Sequence, residues 1–167
     1  MPAGSTYTPI ATTTLGSAAS SYTFSSISGS YTDLILIANL TASGTNFDIQ
    51  VGNGSADTGS NYSSTRIYGN GSSALSDRQS NNTTGVTGNN AASSSVPVQF
   101  ISHFQNYSNI TTNKTVLTRY DRSDGLAMAV VGLWRSTSAI NTIKIHSTNG
   151  STFSSGSTFT LYGIASA

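Results

Sequence analysis

Short segments in which apolar and polar residues alternate recur along the whole chain, and runs of Ser, Gly, Asn and Thr separate them. Alternation with a period of two places successive side chains on opposite faces of a β-strand. No segment of useful length shows the helical period. The segments with the strand pattern are 6–15, 21–25, 31–41, 47–51, 65–68, 96–105, 114–120, 127–134, 140–146 and 157–164. The chain is therefore predicted to be all-β.

Composition narrows the architecture. Ser, Thr, Asn and Gly make up half of the 167 residues, only 8% of the residues are charged, and glutamate is absent. Such a chain is poor in helix-favouring residues and rich in Thr, Tyr and Phe, which favour strands. Long polar loops favour a Greek-key or jelly-roll sandwich over an up-and-down barrel, whose hairpins are short. The predicted fold is a single-domain antiparallel β-sandwich, jelly-roll-like, over residues 1–167.

The longest polar stretch predicts a loop. Between residues 69 and 95, Leu75 and Val86 are the only large apolar side chains. Loops of this length are uncommon in compact domains and are usually functional or flexible. We therefore predict a long polar loop at 69–95 that is ordered only where it contacts the sandwich or a neighbouring subunit.

The alternation also predicts the core. A central strand is expected at 31–41, and a strand that is central or lies at an interface is expected at 127–134, because apolar residues occupy both faces of each segment. Trp134 shares a face with Val130, so we predict a buried indole whose N–H group bonds an oxygen, with Gly132 leaving room for the ring. The predicted core consists of Phe24, Leu34, Leu36, Ile49, Phe100, Val116, Val130, Leu133, Ile143, Ile145, Phe159 and Leu161.

Several classes of protein are excluded by composition. The chain has no cysteine, and therefore no disulfide, thiolate metal site or thiol nucleophile. A formal charge of +1 from scattered basic residues gives no stripe that could follow a phosphate backbone, so no nucleic-acid partner is expected. No apolar run approaches the roughly 18 residues that cross a bilayer. The first residues also lack the basic and apolar regions of a signal peptide, so we expect synthesis in a cytoplasm and no membrane partner.

Two histidines are the strongest candidates for catalysis. His103 and His146 lie in strand-like segments, and either could act as a general base for one of the many serines. However, no Gly-x-Ser-x-Gly turn precedes a helix. A glycosidase would need paired carboxylates, whereas this chain has six dispersed Asp residues. The chain is predicted not to be an enzyme and to have no catalytic residues.

Two further groups of residues could bind ligands. Asp121 and Asp124 could ligate calcium, but hard cations need about six to eight oxygens, and the neighbouring Arg119 and Arg122 compete for both carboxylates. We predict a turn with Asp–Arg pairs, and no metal or cofactor site. Five aromatic residues could either stack on sugars or pack in the core: Tyr68, Tyr107, Tyr120, Tyr162 and Trp134.

Parts of the chain resemble a known group of proteins. The opening carries YTPIATTTL at 7–15, SSYTFSSI at 20–27 and YTDL at 31–34; GLWRSTSAI stands at 132–140 and FSSGSTFTLYGI at 153–164. These segments are similar to small virion structural proteins of tailed phages, especially marine ones. Members of this group resemble both head decoration proteins and tail-fibre modules. The resemblance carries no catalytic residues with it.

The sequence therefore predicts a non-enzymatic phage structural protein, a capsid decoration or cement protein on the outer surface of the head. Its expected partners are the major capsid protein and copies of itself, as a homotrimer, and its expected location is the capsid surface of the virion. One domain without a shaft repeat favours decoration over a fibre. The alternative is a tail-fibre or spike-tip module that binds a host surface carbohydrate, and its expected ligand is a surface glycan.

Overall fold

The structure is a computed structural model that describes residues 6–43, 46–88 and 90–165. Every regular element in these residues is a β-strand. The strands are β1 (Tyr7–Thr14), β2 (Ser21–Phe24), β3 (Asp33–Leu40), β4 (Asn46–Gly52), β5 (Tyr62–Gly69), β6 (Ala74–Asn82), β7 (Asn90–Ala91), β8 (Val98–Phe104), β9 (Lys114–Arg122), β10 (Leu126–Trp134), β11 (Thr142–Ser147) and β12 (Thr158–Ile164). Each segment with the strand pattern overlaps one of them, which confirms the all-β prediction.

Antiparallel pairing organises the strands into two sheets. The larger sheet has the order β1-β12-β3-β8-β9-β10-β5-β6, and the smaller has the order β2-β11-β4-β7. Within them, β1 pairs with β12, β2 with β11, β3 with β8 and β4 with β7, so the two halves of the chain are wound together as nested pairs. Successive pairs alternate between the sheets, which is the double Greek key of a jelly roll. The predicted jelly-roll-like sandwich is confirmed.

Two hairpins inserted into the jelly roll widen the larger sheet. The β5–β6 hairpin follows β4, the β9–β10 hairpin follows β8, and β10 pairs with β5 to join them. The predicted loop at 69–95 is therefore wrong in part, because β6 occupies residues 74–82 and β7 residues 90–91. The polar β6 forms through backbone pairing with β5, supported by an ion pair between Arg66 and Asp77 at 2.6 Å.

The core lies between the two sheets. Phe47 of the smaller sheet packs against Phe100 and Tyr120 of the larger sheet, with ring centroids 5.3 and 6.0 Å apart. The predicted core residues are all buried except Leu133. Leu133 lies on the outer side of β10 with Val131, because side chains alternate along a strand.

The larger sheet has four more strands than the smaller sheet, namely β5, β6, β9 and β10 of the two inserted hairpins. Residues 83–88 cover part of the inner side of these strands. Val86 is fully buried, and its N–H donates to the carbonyl of Ile49 in β4 at 2.9 Å. A Cβ atom on Gly132 of β10 would lie 2.0 Å from the carbonyl oxygen of Val86. Gly132 therefore makes room for Val86, and not for the Trp134 ring as the sequence predicted.

Asp48 holds the 83–88 segment against β4. Its Oδ1 accepts hydrogen bonds from the N–H and the hydroxyl of Thr87, at 2.8 and 2.6 Å, and its Oδ2 accepts one from the Thr84 hydroxyl at 3.0 Å. The carboxylate is fully buried, although strand alternation places it on the outer side of the smaller sheet. Because hydrogen bonds must replace the hydration of a buried carboxylate, they fix this segment in place.

Trp134 is buried and bonded as predicted. Its indole N–H donates to Oδ2 of Asp57 at 2.7 Å. The same carboxylate accepts the N–H of Gly59 at 2.7 Å and the side-chain amide of Asn61 at 2.8 Å. Burial raises the pKa of Asp57, but these three hydrogen bonds outweigh burial and hold the pKa below its ordinary value. The contact therefore ties the loop after β4 to the end of β10.

Gly132→Val should destabilise the fold, because the new side chain would meet the backbone of Val86. We expect a loss of about 1–3 kcal/mol in the free energy of unfolding, the usual cost of overpacking, measured by urea denaturation. Gly16→Val is the matched control, because nothing lies within 4 Å of a Cβ at that position. If the two variants were equally stable, residues 83–88 would not pack on β10.

Trp134→Ala should lower the free energy of unfolding by about 3–5 kcal/mol, the usual cost of removing a large buried aromatic side chain. In the wild-type protein, the fluorescence of Trp134 should be blue-shifted and weakly quenched by acrylamide, because the ring is 3% exposed. Emission at the wavelength of a hydrated indole, together with ready quenching, would contradict the buried position.

The Asp57 carboxylate should make the fold sensitive to acid. Since its pKa is lower in the folded chain, its contribution to stability is present above the ordinary pKa of 3.8 and is lost as the pH falls through the lower folded-state value. Asp57→Asn should flatten the dependence of unfolding free energy on pH in this range. Ser55→Ala, an exposed change in the same loop, should keep the wild-type slope. A wild-type slope in Asp57→Asn would refute this role.

Candidate assembly surface

The larger sheet has an outer side, which points away from the smaller sheet. The strand register places one row of side chains across it from β3 to β5: Ile37, Ile101, Arg119, Ala129 and Ile67. Leu117 and Val131 belong to the next row. Ile67 is 63% exposed and Val131 is 52% exposed. We call the surface formed by Ile37, Ile67, Ile101, Leu117 and Val131 the outer apolar face.

Parts of the outward-facing surface of the sandwich are polar. On β1 and β12 of the same sheet, the outer positions include Thr12, Thr158 and Thr160. On the smaller sheet, Lys144 lies on the outer side, whereas its cross-strand neighbour Gln50 is buried and donates its side-chain amide to the carbonyl of Thr83 at 2.9 Å. Four of the seven exposed large apolar side chains of the described residues lie between β3 and β5, whereas the other three, Tyr7, Leu75 and Ile110, lie apart on β1, on β6 and in the loop before β9. A contiguous patch of exposed apolar side chains is typical of an interaction site.

Two open cavities border Arg119 on the outer side of the larger sheet. The larger cavity, of about 710 Å³, lies over β5, β6 and β10, where Gly69, Ala74 and Ala127 leave a hollow beside Ile67. The smaller cavity, of about 480 Å³, lies over β3 and β8. Arg119 lines both cavities, so a charged side chain stands between two concave and mainly apolar areas.

The outer apolar face carries two opposite charges that the described part of the chain does not neutralise. Arg119 and Asp121 lie two residues apart on β9, so both side chains point outward, and both are exposed. Neither forms an ion pair or a hydrogen bond with another described residue. By contrast, Arg122 binds Asp124 at 2.5 Å. The predicted Asp–Arg pairing is therefore confirmed for Arg122 and wrong for Arg119.

The two histidines are held by groups other than serine hydroxyls. His103 lies beside the outer apolar face, and its Nε2 is 2.7 Å from Oδ2 of Asp33, whose other oxygen accepts the N–H of Asn106. His146 lies on the smaller sheet, and its Nε2 donates to the carbonyl of Thr84 at 2.6 Å. Among the described residues, no serine hydroxyl is a hydrogen-bond partner of either ring.

The carboxylates considered for calcium binding point in different directions. Asp124 binds Arg122 in the turn between β9 and β10, whereas Asp121 points to the outer apolar face. Within residues 6–43, 46–88 and 90–165, no three His, Cys, Asp or Glu side chains are close enough to hold a metal ion.

The aromatic residues considered for sugar binding do not share one surface. Tyr107, Tyr120 and Trp134 are buried, and burial raises the pKa of Tyr120 to about 12. Tyr68 and Tyr162 are half-buried and lie on opposite sides of the larger sheet. Three of the five rings are therefore core residues.

The sequence contained a signal for the outer apolar face. Apolar residues on both faces predict a central strand at 31–41 and a strand that is central or lies at an interface at 127–134. In the structure, the strands are central in their sheet, but outer residues such as Ile37 and Val131 are exposed. The pattern of apolar residues along a strand does not show whether both of its faces are covered within the chain or one face is exposed.

Comparison of the sequence with protein-family models and with curated proteins found no match to either. Where the chain is described, it contains no helix that could cross a membrane. The outer apolar face and the resemblance given above are the observations from which a function can be proposed.

Proposed function

We propose that the chain is a non-enzymatic structural protein of a tailed-phage particle, in which it decorates the outer surface of the head. The outer apolar face carries this proposal, because it offers a broad surface for binding another protein. Jelly rolls occur in viral capsid domains, in lectins and in cupins, so the fold is compatible with this role without requiring it. The phage assignment comes from the resemblance of residues 7–34, 132–140 and 153–164.

Burial of apolar surface would supply the free energy of assembly. Ile67, Leu117 and Val131 each expose more than two fifths of their surface. Complete burial of a side chain of this size contributes about 1.5–3 kcal/mol. An open sheet face suits a complementary protein surface, whereas small substrates are usually enclosed in a cleft.

The proposed partners are the major capsid protein and further copies of this chain. The alternative, a tail-fibre or spike-tip module that binds carbohydrate, has less support. It needs exposed aromatic rings, whereas Tyr107, Tyr120 and Trp134 lie in the core. We therefore favour assembly over sugar binding.

The position of the protein in purified particles tests the proposal. Labelled antibody, followed by electron microscopy at subunit resolution, should place it on the outer surface of the head. A position on the tail alone would overturn decoration and retain a structural role. Absence from the particle, or binding on a glycan array without binding to empty heads, would overturn the proposal.

Val131→Lys should reduce incorporation into particles by more than about tenfold, because an unpaired charge would enter an apolar interface. Thr14→Lys is the matched control, because it adds the same charge at an exposed position on the outer side of the edge strand β1, away from the outer apolar face. Both changes are at partly or fully exposed positions and should alter the free energy of unfolding by less than about 0.5 kcal/mol. Equal incorporation of the two variants would contradict a role for the outer apolar face.

A further inference from the structure

We propose that a second copy of this chain packs on the outer side of β5, β9 and β10, with Arg119 of each copy facing Asp121 of the other. This inference rests on the proposed function, since it names the partner of the same surface. It follows from the charges of the face, from the positions of its large and small side chains, and from the symmetry that relates them.

The charges favour a copy of the chain over a partner of different chemistry. Arg119 and Asp121 are both exposed and have no partner among the described residues. A uniformly acidic or basic surface would pair with one of them and leave the other desolvated, which is costly. A copy of the same face presents one acid and one base with the same spacing, so it can neutralise both.

Symmetry brings the opposite charges together. Positions 119 and 121 lie about 6.6 Å apart along β9, given the usual rise of about 3.3 Å per residue. A two-fold axis in the plane of the interface, perpendicular to β9 at Tyr120, would place each arginine over the aspartate of the other copy. Such an interface is self-complementary, because each contact occurs twice, and it joins two copies instead of the three expected from the sequence.

The same axis matches a large side chain to a hollow. Tyr120 lies in one cross-strand row with Met128 and Tyr68, so the axis also passes position 68 on β5. Ile67, which is 63% exposed, would then lie over Gly69 of the other copy. The cavity of about 710 Å³ lies at that point and has Gly69 in its lining. The arrangement therefore pairs charges and fills a cavity together.

Charge reversal tests the contact in the purified full chain. Arg119→Asp and Asp121→Arg should each weaken self-association by about tenfold or more, measured by sedimentation or light scattering over a range of concentrations. An equimolar mixture of the two variants should associate again, because each supplies the charges that the other needs. The double variant Arg119→Asp/Asp121→Arg should also associate. Lys144→Asp, on the smaller sheet, should behave as the wild type.

A wild-type chain that stays monomeric at tens of micromolar would overturn the inference, and so would a mixture that fails to associate. Misfolding would not imitate the expected result, because two misfolded variants would not restore each other.

Binding to empty heads is measured separately with the same variants. A monomer that binds heads through Arg119 and Asp121 would assign the face to the capsid protein and keep the proposed function. Self-association without head binding would keep the inference and overturn decoration.

Discussion

A four-stranded sheet cannot cover an eight-stranded sheet, and this difference in width determines where the loops must lie. The inner sides of β5, β9 and β10 carry apolar residues that would otherwise face water. The loop after β4 and residues 83–88 cover them. Hydrogen bonds from Trp134 to Asp57 and from Thr87 to Asp48 hold these two segments. The two segments therefore cover the part of the larger sheet that the smaller sheet does not reach, and hydrogen bonds to the two carboxylates hold them there.

The hairpins that cause this difference also form most of the outer apolar face. Leu117, Val131 and Ile67 belong to the inserted strands β9, β10 and β5, whereas only Ile37 and Ile101 belong to the eight strands of the jelly roll. The inserted strands are thus covered by loop segments on their inner side and carry most of the outer apolar face on their outer side. A chain that acts through such a surface needs no reactive groups in a cleft, which agrees with the proposed structural role.

Local patterns were sufficient for most strands and most of the core. Alternation identified β4 and the buried Ile49, for example, because both depend on neighbouring residues only. β6 was missed because its side chains are polar and backbone pairing with β5 creates the strand. The burial of Asp48 was missed because the covering Thr87 lies 39 residues away. The sequence left β10 either central or at an interface, because a sequence does not show what lies opposite a strand face.

The sequence by itself determined that the chain is all-β, which faces point inward in strands with one apolar face such as β4, and that no thiol chemistry is available. These properties follow from composition and from a period of two, which are local. Only the tertiary structure decided that Gly132 makes room for Val86, and that Arg119 and Asp121 lie on an open face with no ion-pair partner among the described residues. These features depend on which distant segments meet, and that is fixed by the nested pairing of the strands and by the unequal widths of the two sheets.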